Sequence, residues 1–224
     1  MKIAVCYSGE GRDIESTHAN HVANVYQHHD VDVYLHTWLC DSPTSTIPFQ
    51  NRGTWHTTIR VSPTDEYVRM FKPTRVRVED RTESGVQDHL QRRVQMFYGI
   101  AESFNLIEQP DMYDFIVRIR SDAYFQSPIP FETLTDTSAI YIPALPPGFN
   151  VGWQPGDWDP TTYCPDFVAC GSPSAMRHYV SYASSKACHT DSDCVEWSLC
   201  SYLKTCPVRI QKIPIVCGLY RFLQ

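Results

Sequence analysis

No apolar run in this chain is long enough to suggest a membrane span. The first, Ile3 to Tyr7, falls far short of the ~20 residues a spanning helix needs, and it ends in polar Ser8-Gly9-Glu10-Gly11-Arg12. A secretory leader pattern is missing as well, so a soluble, cytoplasmic protein without a transmembrane segment is expected. Positive charge is in deficit. The 19 Lys+Arg residues stand against 25 Asp+Glu, a net charge of −6, and a protein that grips nucleic acid non-specifically needs the opposite balance. No nucleic-acid partner is therefore expected. Several chemical signatures are also lacking. There is no GxGxxG loop, no Walker A loop and no HExxH, which argues against a classical dinucleotide fold, a P-loop NTPase and a zinc hydrolase.

Cysteine is abundant, with nine residues, but its spacing is wrong for zinc. Cys188, Cys194, Cys200 and Cys206 recur with five residues between them, whereas zinc sites favour pairs with two to four residues between them. On a helix six residues turn through about 600°, which places successive thiols on different faces. An odd count without a leader reads as reduced, scattered thiols rather than a disulfide framework. With 42% hydrophobic and 20% charged residues, the composition is that of an ordinary globular chain. A chain of 224 residues buries roughly 70–75% of its unfolded surface, enough for one core, and a single domain over residues 1–224 is expected.

The patterning reads as α/β. Lys2 to Tyr7 is a short apolar strand stopped by Ser8-Gly9. Glu15 to His29 has helical spacing at Ala19, Val22, Ala23 and Tyr26, and Val31 to His36 alternates as a second strand. Strand, glycine turn, helix and strand open a βαβ unit. A short strand at Thr57 to Val61, a helix from Pro63 to Phe71 and a strand at Thr74 to Val78 follow. Val86 to Glu108 carries one apolar stripe through Val86, Leu90, Val94, Phe97, Ala101 and Phe104, with Arg92, Gln95 and Tyr98 flanking it. Strands are predicted at Asp114 to Ile119, Ala139 to Ile142 and Asp166 to Cys170. Ser172 caps a helix, Asp191 to Leu203 forms another, and Val208 to Val216 is a strand broken by Pro214. Between Pro143 and Pro165 lies a loop with six prolines, three glycines and two tryptophans, Trp153 and Trp158, which can act as a lid over a bound sugar.

Open α/β sheets bind ligands beyond the carboxyl ends of their strands. Two polar clusters fall at such ends. In the first, Ser8, Gly9 and Arg12 suit close backbone approach and a phosphate contact. In the second, Arg118, Arg120, Ser121 and Asp122 bring two guanidinium groups and a carboxylate to one strand end. Charges there are costly unless paired or ligated. Asp122 offers the oxygen that Mg²⁺ or Mn²⁺ prefers; an internal Arg–Asp ion pair is the other reading of the same residues. His36, after the second strand, is placed to touch a base or ribose.

Lys2 to Trp38, Gln95 to Tyr98, Tyr113 to Phe125, Asp166 to Met176 and Asp191 to Leu203 together resemble GT-A-type glycosyltransferases of bacterial surface polysaccharides and of large algal (chlorella) viruses, including N-terminal domains of multidomain enzymes. The resemblance implies a GT-A-like α/β/α sandwich around a central, mostly parallel mixed sheet. It implies residues 1–125 as the nucleotide-sugar part and 126–224 as the acceptor side, all within one part of a larger chain. It further implies a UDP-sugar donor, a glycan acceptor, and donor contacts from Ser8, Gly9, Arg12, His36, Arg92, Gln95, Arg120, Ser121, Asp122 and Gly171. A full DxD motif has a carboxylate where this chain has Arg120, so Asp122 alone remains as metal ligand. A divalent metal, Mn²⁺ or Mg²⁺, is expected to help the diphosphate leave, and the two arginines also allow a metal-free variant. Among the carboxylates of the C-terminal third, Asp157, Asp159, Asp166, Asp191, Asp193 and Glu196, the two favoured as catalytic base are Asp193 and Glu196. A noncatalytic nucleotide- or sugar-binding module and a nucleotidyltransferase stand as the alternatives, the latter weakened by the lack of a Lys-bearing glycine loop.

Overall fold

Ile3, Ala4, Val5 and Tyr7 have no exposed surface in strand β1 (Lys2–Ser8). A strand so fully enclosed must be covered on both faces, which parallel sheets achieve with helices on each side. The structure is a computed structural model and describes residues 1–27, 29–45, 60–80, 89–144, 164–189 and 195–219. β1 pairs in parallel with β2 (Asp30–Trp38) on one side and with β6 (Phe115–Ile119) on the other. β2 carries β5 (Arg75–Glu79) at the sheet edge, also in parallel. Past β6 lie β9 (Val168–Gly171), β8 (Ala139–Ala144), β10 (Arg209–Leu219) and β7 (Ala123–Phe125). Among the described residues this is one eight-stranded sheet in the order β5-β2-β1-β6-β9-β8-β10-β7. β9 runs antiparallel to both its neighbours, and β7 antiparallel to β10, while the remaining pairs are parallel. The fold is thus the expected α/β sandwich on a mostly parallel mixed sheet. Residues on both sides of position 125 supply strands to that one sheet.

One face is covered by α1 (Ile14–His21) and α2 (Thr64–Phe71). Their Ile14, Tyr67 and Phe71 pack with Val5, Tyr7, Val117 and Ile119. The opposite face is covered by α3 (His89–Asn105), α4 (Pro173–Ser181) and α5 (Val195–Leu203). There Phe97, Ile100, Met176, Tyr179 and Leu199 pack with Ala4, Cys6, Ile116 and Ala169. Of the apolar stripe read from the sequence, Phe97 and Phe104 are core and Val94 and Ala101 are partly buried, while Val86 and the side chain of Leu90 lie outside the described residues. Ser172 caps α4 as expected, its hydroxyl accepting from the Ala175 N–H at 3.2 Å. α2 ends at Lys72, which adopts a left-handed φ of 44° and donates its N–H to the Val68 carbonyl just before Pro73.

Three expectations are corrected. The second element is not one α-helix: α1 passes into a π-helical turn, Val22–Tyr26. Pro214 does not break its strand, because β10 runs through it with a register shift between Ile213 and Val216 that absorbs the missing N–H. β7 and the two-residue ladder of β3 (Thr44–Ser45) with β4 (Arg60–Val61) had no counterpart or only a partial one in the sequence reading. In the six-residue cysteine series, Cys188 and Cys200 are free thiols buried in the core and Cys206 is a partly exposed one, while Cys194 lies outside the described residues; Cys200 is not isolated, because its thiol meets that of Cys164.

Candidate functional site

From β1 the strand order runs outward through β2 to β5, then reverses to β6. That reversal sets the switch point of the sheet at the carboxyl ends of β1 and β6, where α/β sheets take their ligands. Both polar clusters end there. Gly9 turns the chain out of β1 with φ +94°, a conformation that favours glycine, and its N–H donates to the His36 carbonyl at 3.1 Å. Ser121 then ties the two clusters together. Its hydroxyl donates to the Glu10 carbonyl at 2.8 Å and accepts from the Arg12 N–H at 3.0 Å. Its carbonyl accepts from the Thr17 hydroxyl at 2.6 Å. Ser8, Gly9, Arg12, Arg120, Ser121 and Asp122 thus form one continuous rim. The Arg12 guanidinium itself is held by Glu10, at 2.9 and 3.0 Å.

After β6 the chain folds in a tight turn, with the Ala123 N–H donating to the Arg120 carbonyl at 2.9 Å and the Arg120 N–H to the Phe167 carbonyl at 2.8 Å. The turn brings Asp122 back under Arg120. Nε of Arg120 donates to Oδ1 at 2.5 Å and Nη2 to Oδ2 at 3.1 Å, a two-pronged pair. Nη1 of Arg120 stands 3.7 Å from Asp166. Burial opposes its charge, yet Asp122, Asp166 and Glu196 outweigh that and hold its pKa above the ordinary guanidinium value. Glu196, in the first turn of α5, is therefore in electrostatic reach of the rim, and its carbonyl accepts from the Cys164 N–H at 3.4 Å.

Arg118, two residues earlier, is the opposite case. It is 1% exposed, and its Nε and Nη1 have no hydrogen-bond partner. Burial presses its pKa down, while Tyr179, Asp166 and Tyr67 favour its charge. The hydroxyls of Tyr67 and Tyr179 are also buried without a hydrogen bond. A buried guanidinium left unpaired costs several kcal/mol, on the order of what ion-pair removal costs, and the group that would relieve it is an anion. Tyr67 and Tyr179 escaped the sequence reading because each sits on the apolar stripe of its helix, where a tyrosine reads as packing.

On the α3 side, His36, two residues before the end of β2, pairs with Ser8 and is fully buried. Its Nε2 is 3.2 Å from Glu79, its ring lies edge-on to Trp38 and Tyr98, and burial lowers its pKa. A Cβ on Gly99 would stand 2.9 Å from its Nδ1, so α3 lies directly over it, and Gln95, one turn earlier on α3, is buried as well. Arg92 is carried by α3, and its side chain lies outside the described residues, as do Asp157, Asp159, Asp191, Asp193, Trp153 and Trp158. Gly171 is not at the site. Because β9 is antiparallel, Gly171 pairs with Ile116 near the amino end of β6, and its closeness to the Ala139 carbonyl serves strand packing. The residue β9 does bring to the rim is Asp166, just ahead of the strand.

The residues present do not suit a metal at Asp122. The carboxylate has no exposed surface, and both its oxygens accept from Arg120. Among the described residues no three His, Cys, Asp or Glu side chains are grouped to hold an ion.

A family model described as a domain of unknown function, DUF7796, matches residues 1–150. The chain belongs to the DUF7796 family. The matched stretch contains β1 through β8 and thus the whole rim except Asp166 and Glu196. No curated protein sequence matches this DUF7796 chain. Among solved structures it is similar to mouse xyloside xylosyltransferase 1 in its apo form, at 9% identity and a TM-score of 0.48, over 95% of this chain and 85% of that one. No helix among the described residues is long and apolar enough to cross a membrane.

Proposed function

We propose that the chain is a glycosyltransferase that moves a sugar from a nucleotide-diphosphate sugar to a hydroxyl of a glycan acceptor. The observation that carries this reading is the unpartnered guanidinium of Arg118, buried at the switch point of the sheet, beside a second guanidinium at the same strand end. A buried cation at the carboxyl edge calls for a bound oxyanion, and a diphosphate supplies several. The ordered resemblance of five segments to glycosyltransferases supports the choice of donor, and uridine is the carrier that such enzymes use most.

In the transfer, the bond from the anomeric carbon to the diphosphate oxygen breaks and its electron pair stays on that oxygen. The acceptor oxygen forms the new bond to carbon, and its proton passes to a carboxylate, for which Glu196 and Asp193 are the candidates. Negative charge grows on the leaving diphosphate, and guanidinium groups already fixed at the strand end would stabilise it without reorganising. His36, Gln95 and Ser8, buried where β1, β2 and α3 meet, back the side of the rim that we assign to the nucleoside.

A thermal-shift screen tests the reading. UDP and UDP-sugars are expected to raise Tm more than UMP or uridine does, because the diphosphate supplies the hydrogen-bond acceptors that Nε and Nη1 of Arg118 lack. Absence of a shift with any nucleotide diphosphate or its sugar overturns the proposal. A shift with no hydrolysis or transfer of any donor would instead identify a noncatalytic binding module.

A further inference from the structure

If the glycosyltransferase reading holds, the geometry points to Arg120 doing the work of a divalent cation, with Asp122 as its buried anchor rather than as a metal ligand. The order of the groups from the interior outward carries this. Asp122 is 0% exposed, and the Arg120 side chain above it is 15% exposed, so only the positive member of the pair reaches the surface. A magnesium-like ion keeps several waters and needs a carboxylate oxygen open to it. Here both oxygens already accept from one guanidinium, in the planar fork that matches a carboxylate best.

The guanidinium is also fixed in place. Its backbone N–H is bonded to the Phe167 carbonyl, the turn below it is closed by Ala123, and Ser121 is stapled to the first loop. Asp166 flanks the third nitrogen, Nη1, at 3.7 Å, too far for a direct hydrogen bond, so this nitrogen retains hydrogen-bonding capacity toward an oxyanion. Such a group needs no reorganisation as charge develops on a leaving diphosphate, and that is what a bound cation supplies elsewhere. The bonds made and broken are those of the transfer above. Arg120 gives up no proton, and Asp122 is a positioning residue acting through it.

Two measurements on the whole chain test this. First, UDP-induced thermal shifts and donor turnover are compared in EDTA and in Mn²⁺. Wild type is expected to behave alike in both. Loss of shift or turnover in EDTA that Mn²⁺ restores overturns the inference. Second, Mn²⁺ binding is followed by the spin-resonance signal of the free ion in wild type, Asp122→Asn and Arg120→Ala. Wild type and Asp122→Asn are expected to bind none, and Arg120→Ala to gain binding as the carboxylate is released. Arg120→Ala should also lose at least about 100-fold in turnover, with part of it rescued by Mn²⁺ alone. Mn²⁺ binding by wild type that Asp122→Asn removes would sink the anchor role, even if Arg120→Ala fails to fold. The spin-resonance arm needs no nucleotide. Failure of every nucleotide to bind would therefore count against the glycosyltransferase reading, while the state of Asp122 would still be read.

Discussion

The two edges of the parallel sheet solve the same problem differently. At the amino edge, polar groups that enter the interior find partners within the protein, with Nδ1 of His29 the exception among the described residues. Tyr113 donates to Asp32 at 2.7 Å, and because its proton is committed there, Tyr34 must donate to the Tyr113 oxygen, also at 2.7 Å. The Lys2 N–H donates to Asp114 at 2.8 Å. At the carboxyl edge, Arg118, Tyr67, Tyr179 and Nδ1 of His36 are buried and lack such partners. An edge built only for stability would resemble the first. The second forgoes internal hydrogen bonds at several atoms in one place, which is how a site prepared for a polar ligand looks in its absence.

The most damaging way to probe this contrast is Arg118→Met. Removal of an unpaired buried charge should stabilise the free protein by about 1–4 kcal/mol, while loss of two charge-assisted hydrogen bonds weakens UDP binding about 100-fold. Denaturant melts and UDP titration check it, and a destabilised variant with unchanged affinity would erase the distinction between the edges.

Acid offers the next largest effect. His21 is wholly buried. Its Nε2 must donate to the Ala123 carbonyl at 2.7 Å, so the neutral ring accepts at Nδ1 from Tyr7, 3.0 Å away, and Tyr7 in turn accepts from Tyr26. Burial pulls its pKa from 6.5 down to about 4. The unfolded chain therefore binds a proton that the folded chain refuses between those values. Stability should fall as pH drops from 6.5 and level off near 4, by on the order of 3 kcal/mol, with His36 adding in the same direction. The His21→Gln variant should flatten most of that slope in pH-dependent melts.

Two glycines then separate packing from binding. A Cβ at Gly171 would stand 2.8 Å from the Ala139 carbonyl, and one at Gly11 would stand 2.9 Å from the Tyr67 ring. Each change to alanine should destabilise by about 1–3 kcal/mol, but only Gly11→Ala, which displaces Tyr67, should weaken UDP binding. The smallest effect is expected from Tyr113→Phe at the amino edge. It leaves Asp32 to Thr74, Lys2 and water, costs about 1 kcal/mol and leaves UDP affinity unchanged in the same titration.

Much of this was legible in the residues. Short apolar runs closed by Ser8-Gly9 or by Gly171 mark strands without help from tertiary structure, and the stripe through Phe97 and Phe104 marks a helix. Both polar clusters were placed at strand ends, and the structure joins them through Ser121. Strand direction was not legible. Nothing local to Val168–Gly171 says that β9 runs backwards, and so Gly171 was assigned to the rim while Asp166 was not among the assigned contacts. The π-helical turn, whose Asn24 carbonyl accepts from the Ile129 N–H, and the bulge at Pro214, where β10 pairs with β8, both lie where segments distant in sequence meet, which local pattern does not show. Nor does a sequence show solvent access. Arg120 and Asp122 stand two residues apart on any reading, but only the turn closed at Ala123 reveals that one covers the other.

The last described strand has a practical consequence for anyone handling this molecule. β10 finishes with Leu219 opposite Ala123, one residue past Asp122, whereas β1 starts at the far edge of the sheet. A reporter group attached at Tyr124, which pairs with Gly218 of β10, would stand two residues from Asp122 and respond to whatever reaches the rim. One attached at Lys2, where β1 begins, would stand at the opposite edge of the sheet and serve as its silent control.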